Sequence, residues 1–403
     1  MSATGAKSPS AGPPAILYFG NDWFTENRTS SHHLARRLAM RHQLVYFESP
    51  GLRGPRASGR DVKKVIRKVL RFLRGPRRTP EGIVVQTLLQ LPWHRYSPIR
   101  RLNEHLLRVT VRLAMWWVGI ERPVSWFLVP HVASLAGRVG ERLVVYYCTD
   151  DHASLPDVDA PAIARMDEEL TKRADLVFVV SATLLNGKRA LNPHSYLSPH
   201  GVDFAHFVRA QDPGLEIPAD VSALKRPLIG FFGLIERWID LDLVAYLADQ
   251  RPAWTFLMIG RLAVPPAETP RRPNVVFLGT RAYETLPAYG KAFAAAIIPY
   301  RLTKQVLAAN PLKLREYLAM GKPIVSVSTP ETERFAEFVS IARSREEFLE
   351  RLDEATARGL SSERLHRQTA FASTMTWDCT FEQVLARLNE HLADSAIKAK
   401  TRS

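Results

Sequence analysis

Cysteine is nearly missing from this chain of 403 residues: only Cys148 and Cys379 occur, neither in a CxxC pair nor beside a histidine at zinc-ligand spacing. That argues against a disulfide framework or a structural zinc centre and fits a reducing compartment. Long apolar runs are missing too. The longest relevant one, Leu113 to Ile120, is bounded by Arg112 and Glu121 and falls far short of the ~20 residues that cross a bilayer. The opening MSATGAKSPSAGPP lacks the apolar centre of a signal peptide. Export is therefore not indicated, and residues 1–14 are expected to be a disordered lead-in.

Acidic residues are almost absent from one stretch. Between Leu52 and Arg78 there are eleven Lys or Arg and a single Asp, a local excess of ten positive charges out of a net +15 for the whole chain. Within it Val62, Val65, Ile66, Val69, Leu70 and Leu73 recur at helical spacing, with Lys63, Lys64, Arg67, Lys68 and Arg71 on the other faces. A basic amphipathic helix of this kind suits an anionic membrane surface, although such a helix also packs on a core. Its partners along the repeat are aliphatic, and the stacking aromatics that a single-stranded nucleic-acid binder needs are lacking, so no nucleic-acid partner is expected.

What is present is a repeated strand and helix alternation with 46% hydrophobic residues, enough for two buried cores. Ala15 to Gly20 reads as a buried strand, His33 to Met40 as a helix and Gln43 to Glu48 as the next strand, a βαβ unit. Further strands are expected at Ile83–Thr87, Val124–Val129, Leu143–Tyr147 and Leu176–Val180. The pattern lapses from Gln211 to Arg226 and restarts at Pro227–Gly233, PLIGFFG. The expected fold class is α/β, two Rossmann-like doubly wound domains facing a central cleft. Their bounds are 15–205 and 227–375, with 206–226 as linker and 376–403 as a crossover helix and tail.

The most informative segment is Asn310 to Ser326, NPLKLREYLAMGKPIVS, a Pro-containing loop, a helix, a Gly-Lys-Pro turn and a buried strand. Free backbone N–H groups at Leu312 and Lys313 at the helix start, with the Lys313 charge, make an anion site. Glu316 follows one turn later on the same face and repels a phosphate, but it accepts hydrogen bonds from adjacent hydroxyls of a ribose. Read locally, the pair also fits a solvated i,i+3 Lys–Glu contact.

This segment resembles the donor-binding loop and helix of the family-four retaining glycosyltransferases of the GT-B fold (glycosyl transferases group 1). Pro311, Lys313, Glu316, Tyr317, Ala319, Gly321, Lys322, Pro323, Ile324 and Val325 carry the match. Ala174 to Ser181, ADLVFVVS, and His200-Gly201-Val202-Asp203 are similar to two more family segments, and Thr376-Trp377 stands where the family places a Trp before its crossover helix. The chain is similar in kind to bacterial teichuronic-acid and exopolysaccharide transferases. Two departures matter. The family often carries a second Glu ahead of Glu316, where this chain has Ala308, and the Arg and Lys that hold a diphosphate in many relatives are replaced by Gly233-Leu234-Ile235-Glu236-Arg237.

The resemblance implies a hexosyltransferase that works without metal or cofactor. Its donor would be a UDP- or GDP-linked sugar and its acceptor a saccharide or lipid-linked sugar of cell-surface polysaccharide, on the inner face of the cell membrane. The donor would lie in 227–375, held by Gly233, Arg237, Asn310, Pro311, Leu312, Lys313 and Glu316, and the acceptor in 15–205. The strand-end run Asp150-Asp151-His152 is expected across the cleft, with Asp151 and His152 joining Lys313 as catalytic candidates; each also fits a helix-cap role. Asn21, Asp22, Trp23 and Arg28 are expected to meet the acceptor, and Ser30 or Ser31 to cap the next helix. A nucleotide-sugar epimerase would use the same grip but requires acid and base groups around the sugar, which these loops supply sparingly.

Overall fold

The computed structural model describes residues 12–24, 29–49, 59–91 and 97–400. Strands Ile16–Gly20 (β1), Leu44–Glu48 (β2), Arg77–Arg78 (β3), Val84–Thr87 (β4), Val124–Phe127 (β5), Leu143–Cys148 (β6), Leu176–Val179 (β7) and Ser195–Leu197 (β8) form one sheet. Its order is β3-β4-β2-β1-β5-β6-β7-β8, parallel except for the β3–β4 edge. Helices Ser30–Ala39 (α1), Gly59–Leu73 (α2), Ser97–Val118 (α3), Ala160–Arg173 (α4) and Ala182–Leu191 (α5) accompany it.

Because both faces of a parallel sheet are covered, its strands carry unbroken apolar runs instead of alternation. β1, β2 and β6 are buried at every position. The register aligns aromatic rings across neighbouring strands: Phe19 stacks on Phe47 at 5.0 Å and on Phe127 at 4.6 Å, and Tyr18 stacks on Tyr46 at 5.1 Å. Such pairs each add about 0.5–1.5 kcal/mol beyond burial and fix the register.

The second sheet takes Leu228–Phe232 (β9), Thr255–Ile259 (β10), Val275–Gly279 (β11), Ala295–Ile298 (β12), Ile324–Val327 (β13) and Val339–Ala342 (β14). The order β11-β10-β9-β12-β13-β14 is the doubly wound 3-2-1-4-5-6 arrangement, with its switch point between β9 and β12. Leu241–Gln250 (α6), Lys304–Ala308 (α7) and Leu312–Ala319 (α8) belong to this half. The 206–226 segment, expected as a linker, packs against it: Phe207, Ala210 and Val221 are in its core.

The last helix, Trp377–Lys400 (α9), is longer than the expected Trp377–Leu392 and returns to the first half. Phe381, Val384, Leu385 and Leu388 sit in the first core, and Arg37 of α1 and Arg41 just past it pair with Asp378 and Glu382. Beside it the chain makes its other crossing, and Val202 bridges Thr376 in parallel.

Candidate functional site

Helix α8 begins at the switch point of the second sheet. Leu314, Tyr317 and Leu318 bury its inner face at i, i+3 and i+4 spacing, and the Tyr317 hydroxyl accepts a 3.0 Å hydrogen bond from the Phe232 N–H at the end of β9. That anchor fixes where Lys313 and Glu316 emerge. Pro311 precedes the helix without any side-chain cap, so the first-turn N–H groups of Leu312 and Lys313 are not capped by Pro311.

Lys313 lies across the backbone of Gly233, just past β9. A Cβ built on Gly233 would stand 2.5 Å from Lys313 Cε, and Gly233 has φ +144°, so two separate constraints call for glycine there. The Lys313 ammonium is 5.7 Å from the centre of the Phe232 ring and 3.7 Å from Glu316 Oε2. Glu316 is mostly enclosed, and its Oε2 is a buried oxygen with no hydrogen-bond partner among the described residues. Burial pushes the Glu316 carboxyl above the ordinary range and Lys313 offsets part of that, while burial and the Glu316 charge push the Tyr300 phenol up. A cation, N–H groups without a side-chain cap and a buried carboxylate oxygen without a hydrogen bond thus meet in one spot.

The other expected donor residues are placed differently. Both polar ends of Asn310 are engaged within the protein, its amide donating to Glu331 Oε1 at 2.5 Å and its oxygen accepting from the His200 N–H at 3.2 Å. Arg237 is exposed, and its Nη1 lies 3.9 Å from Asp157 of the first half. At Ala308, where the resembling family often has its first acid, the side chain is buried and the carbonyl accepts a 2.6 Å bond from Ser181 Oγ at the start of α5. A neighbouring bond runs from Thr183 Oγ1 to the Leu307 carbonyl.

From the first half, the loop after β6 reaches α7. Gln305 Nε2 donates to Asp150 Oδ2 at 3.2 Å, and Lys304 Nζ stands 3.7 Å from Asp151 Oδ2, which also accepts from Ser154 Oγ at 2.6 Å. Asp150 is pushed up to about 6, chiefly by burial, against the opposing hydrogen bonds of Gln305 and the Asp151 N–H. His152 turns inward and is 5% exposed, with its pKa pushed down to about 4 by burial. Neither ring nitrogen has a hydrogen-bond partner of ordinary geometry. It forms the floor of the loop, where the sequence alone had left it facing the donor.

The acceptor loop differs more. Trp23, expected as an open contact, is buried, its ring 4.8 Å from Tyr46 and 5.3 Å from His32, with Arg36 over its face. The Trp23 N–H donates to Glu48 Oε1 at 2.9 Å, and Thr87 Oγ1 donates to Glu48 Oε2 at 2.7 Å. Asp22 accepts from Arg71 at 3.0 Å, and Arg71 is also 3.7 Å from Glu48. Burial raises Glu48 while its contact with Asp22 adds to the rise; Asp22, despite its own burial, is held low by Glu48 and Arg71. Asn21 is exposed, and its carbonyl accepts from Tyr46 Oη at 2.8 Å. Arg28 lies outside the described residues. Ser30 and Ser31 are inside α1, whose N-cap is Thr29.

Sequence reasoning missed Glu48, Tyr300, Ser181 and Gln305. Glu48, Tyr300 and Ser181 stand at the carboxyl end of a strand or just beyond it, where parallel sheets gather functional groups, and that rule was the available signal; Gln305 is inside α7, where no such signal applies. In α2, Arg67 is exposed, Lys68 donates to the Ser49 carbonyl at 3.2 Å and Arg71 reaches Asp22. The side chains of Lys63 and Lys64 lie outside the described part of the helix.

No family model matches the chain. Over 92% of its length, covering 95% of the other protein, it is 25% identical to the Bacillus subtilis (strain 168) protein provisionally described as teichuronic acid biosynthesis glycosyltransferase TuaH. Among solved structures, sucrose-phosphate synthase from Thermosynechococcus elongatus superimposes with a TM-score of 0.69 at 13% identity, over 95% of this chain and 100% of that one. Anabaena HepE in complex with UDP and glucose does so with a TM-score of 0.64 at 14% identity, over 94% and 100%. The fold is GT-B, two Rossmann-like domains facing one cleft.

Proposed function

We propose that this chain is a retaining glycosyltransferase. It moves a hexosyl unit from a UDP- or GDP-linked sugar to a saccharide or lipid-linked acceptor in cell-surface polysaccharide biosynthesis. The observation that carries the reading is the Lys313–Glu316 pair at the switch point, with the buried Glu316 Oε2 3.7 Å from the ammonium and without a hydrogen-bond partner among the described residues. The B. subtilis relative, described as a glycosyltransferase, and HepE, solved with UDP and glucose, support the reaction class and the donor class.

In this reading Glu316 accepts hydrogen bonds from the ribose hydroxyls while Lys313 and the first N–H groups of α8, at Leu312 and Lys313, face the diphosphate. Departure of a nucleoside diphosphate builds negative charge, and a fixed cation at a helix start stabilises that charge more in the transition state than in the ground state. Arg237, free to swing from its long contact with Asp157, adds a second cation as the halves close. Because this cationic field serves the leaving group, transfer is read as metal-independent. The acceptor hydroxyl attacks from the same face of the sugar, so positioning matters more than a protein nucleophile. Asp151 is the first-domain candidate to meet the donor sugar, with His152 supporting its loop, Asn310 and Pro311 setting the start of α8, and Asn21, Asp22 and Trp23 shaping the acceptor end with Arg28. The basic side of α2, through Lys63, Lys64 and the exposed Arg67, holds the enzyme to the inner, anionic face of the cell membrane from the cytoplasmic side, while Lys68 and Arg71 tie the helix to Ser49 and Asp22.

Titration calorimetry with UDP, GDP and their sugars tests the reading. Binding of at least one nucleoside diphosphate, weakened tenfold or more by Glu316→Ala, is expected, with release of free nucleoside diphosphate from the matching sugar nucleotide only when acceptor is added. Absence of binding by any nucleoside diphosphate overturns it.

A further inference from the structure

Helix α3 carries two apolar stripes. One, Leu107, Val111, Ala114 and Met115, is buried against the first core. The other, Leu102, Leu106, Val109, Leu113 and Trp116, repeats at the same helical spacing and is exposed to solvent. It ends in a bare corner: Trp116 is 81% exposed, Leu113 59% and the adjacent Trp117 53%. On α2, Ile66, Val69, Leu70 and Leu73 are likewise exposed, Leu73 to 72%. Between the two helices Phe72, Pro76, Gln86, Leu113, Trp116 and Trp117 line an open groove of about 280 Å³. A contiguous exposed apolar surface along two helices, rimmed by charge, is the kind that marks an interaction site.

The charge around it selects the occupant. From Val62 to Ile120 the chain has thirteen Lys or Arg against two Glu. Arg67, Arg74, Arg77, Arg78 and Arg112 are all exposed beside the apolar corner. A second copy of the same face would bring like charges together, which disfavours a homodimer. Tryptophan at a rim of arginine is the composition that settles at the boundary between headgroups and acyl chains. No described helix is long and apolar enough to cross a membrane, so contact is with one leaflet.

We infer that α2 and α3 together form a docking face for an anionic lipid bilayer, in which Trp116, Trp117 and Leu113 insert between acyl chains while the arginines of α2 and β3 meet the headgroups. This rests on the reading of α2 as a membrane-facing helix and adds a second element, on α3, that penetrates. The face is tied to the acceptor end: Arg71 of α2 bonds Asp22 and lies 5.2 Å from the Phe24 ring, and Lys68 bonds the Ser49 carbonyl. Docking therefore presents Asp22, Phe24 and Ser49, at the ends of β1 and β2, toward the headgroup side, where a lipid-borne acceptor arrives.

The test is flotation of the full chain with vesicles of phosphatidylglycerol and phosphatidylcholine, compared with phosphatidylcholine alone. Wild type floats with the anionic vesicles. Trp116→Ala/Trp117→Ala, which removes only exposed rings, lowers partitioning at least tenfold, and Trp116→Phe/Trp117→Phe recovers part of it. Arg67→Ser/Arg74→Ser also lowers it, and added salt abolishes only the charge-dependent share. If the arginine variant loses binding while the alanine pair floats like wild type, the α2 reading stands and insertion by α3 is overturned. Failure of wild type to float overturns both. A concentration-dependent dimer that the alanine pair abolishes and vesicles do not compete for overturns the bilayer in favour of a second copy. Nucleotide binding measured on the same proteins is expected to stay unchanged, which separates these outcomes from failure of the donor site.

Discussion

Gly233 and Lys313 compete for one volume: the glycine's missing side chain is where the lysine passes, since a Cβ there would stand 2.5 Å from Lys313 Cε. The end of β9 and the start of α8 are thereby fitted to each other before any ligand arrives. Gly233→Ala is expected to displace the ammonium and strain a backbone at φ +144°. Nucleotide affinity should fall at least tenfold, about 1.4 kcal/mol. Calorimetry on protein of unchanged circular dichroism checks this, and wild-type affinity would remove Lys313 from the site.

Lys313→Ala and Glu316→Ala should separate kinetically. Loss of the cation acts on charge that grows as the diphosphate leaves, so kcat falls tenfold or more. Loss of the carboxylate removes a contact to a part of the donor that does not react, so KM rises by a similar factor with kcat nearly kept. Initial rates over a range of donor concentrations decide; identical behaviour of the two variants would contradict separate roles.

Asp150 supplies a pH test at the contact between the halves. Its folded pKa of about 6 lies above its ordinary 3.8, so its protonated form is favoured in the folded protein. That contribution is complete below pH 3.8 and is lost as pH rises through 6. Asp150→Asn imitates the protonated form, and the Gln305 amide can turn to accept from it. The variant should exceed wild type in stability by on the order of 3 kcal/mol at pH 7 and about half that at pH 5. Denaturant midpoints at the two pH values read this out; a gap that shrinks toward pH 7 would reverse the assignment.

Lys322 belongs to the matched motif yet serves the scaffold. Its ammonium donates to the Lys291 carbonyl at 2.9 Å and the Phe293 carbonyl at 3.1 Å, and burial lowers its pKa to about 8. Lys322→Met should cost about 1 kcal/mol of stability, since two part-buried carbonyls lose their donor, with nucleotide affinity unchanged. A weakened affinity in folded Lys322→Met protein would count against this division of labour within the motif.

Which parts were legible follows from how each is encoded. β1, β2 and β9 stood out because a strand buried on both faces is a short unbroken apolar run. α3 was not seen, because two apolar stripes on one helix blur its periodicity and only the tail of the run drew notice. Lys313 and Glu316 were legible since one helix carries both, at fixed spacing. Glu48 was not: its partners Asp22 and Trp23, Arg71 and Thr87 come from three separate segments, and only the folded sheet assembles them. Trp23 was misjudged for the same reason, as nothing local says that Tyr46 and His32 will enclose it.

The two crossings between the halves lie side by side, with Val202 bridging Thr376 and Gly201 packed so tightly that a Cβ would stand 2.4 Å from the Trp377 nitrogen. The first core takes its residues from both 16–180 and 381–388, whereas the second takes its own from the unbroken span between the crossings. In construction, then, the nucleotide-side half is a cassette set into a single gap of the other half, and it enters and leaves through adjacent seams. Such an insert can be exchanged for one reading a different base without disturbing the surface that meets the acceptor, so donor choice and acceptor choice are free to diversify on separate pieces of the same chain.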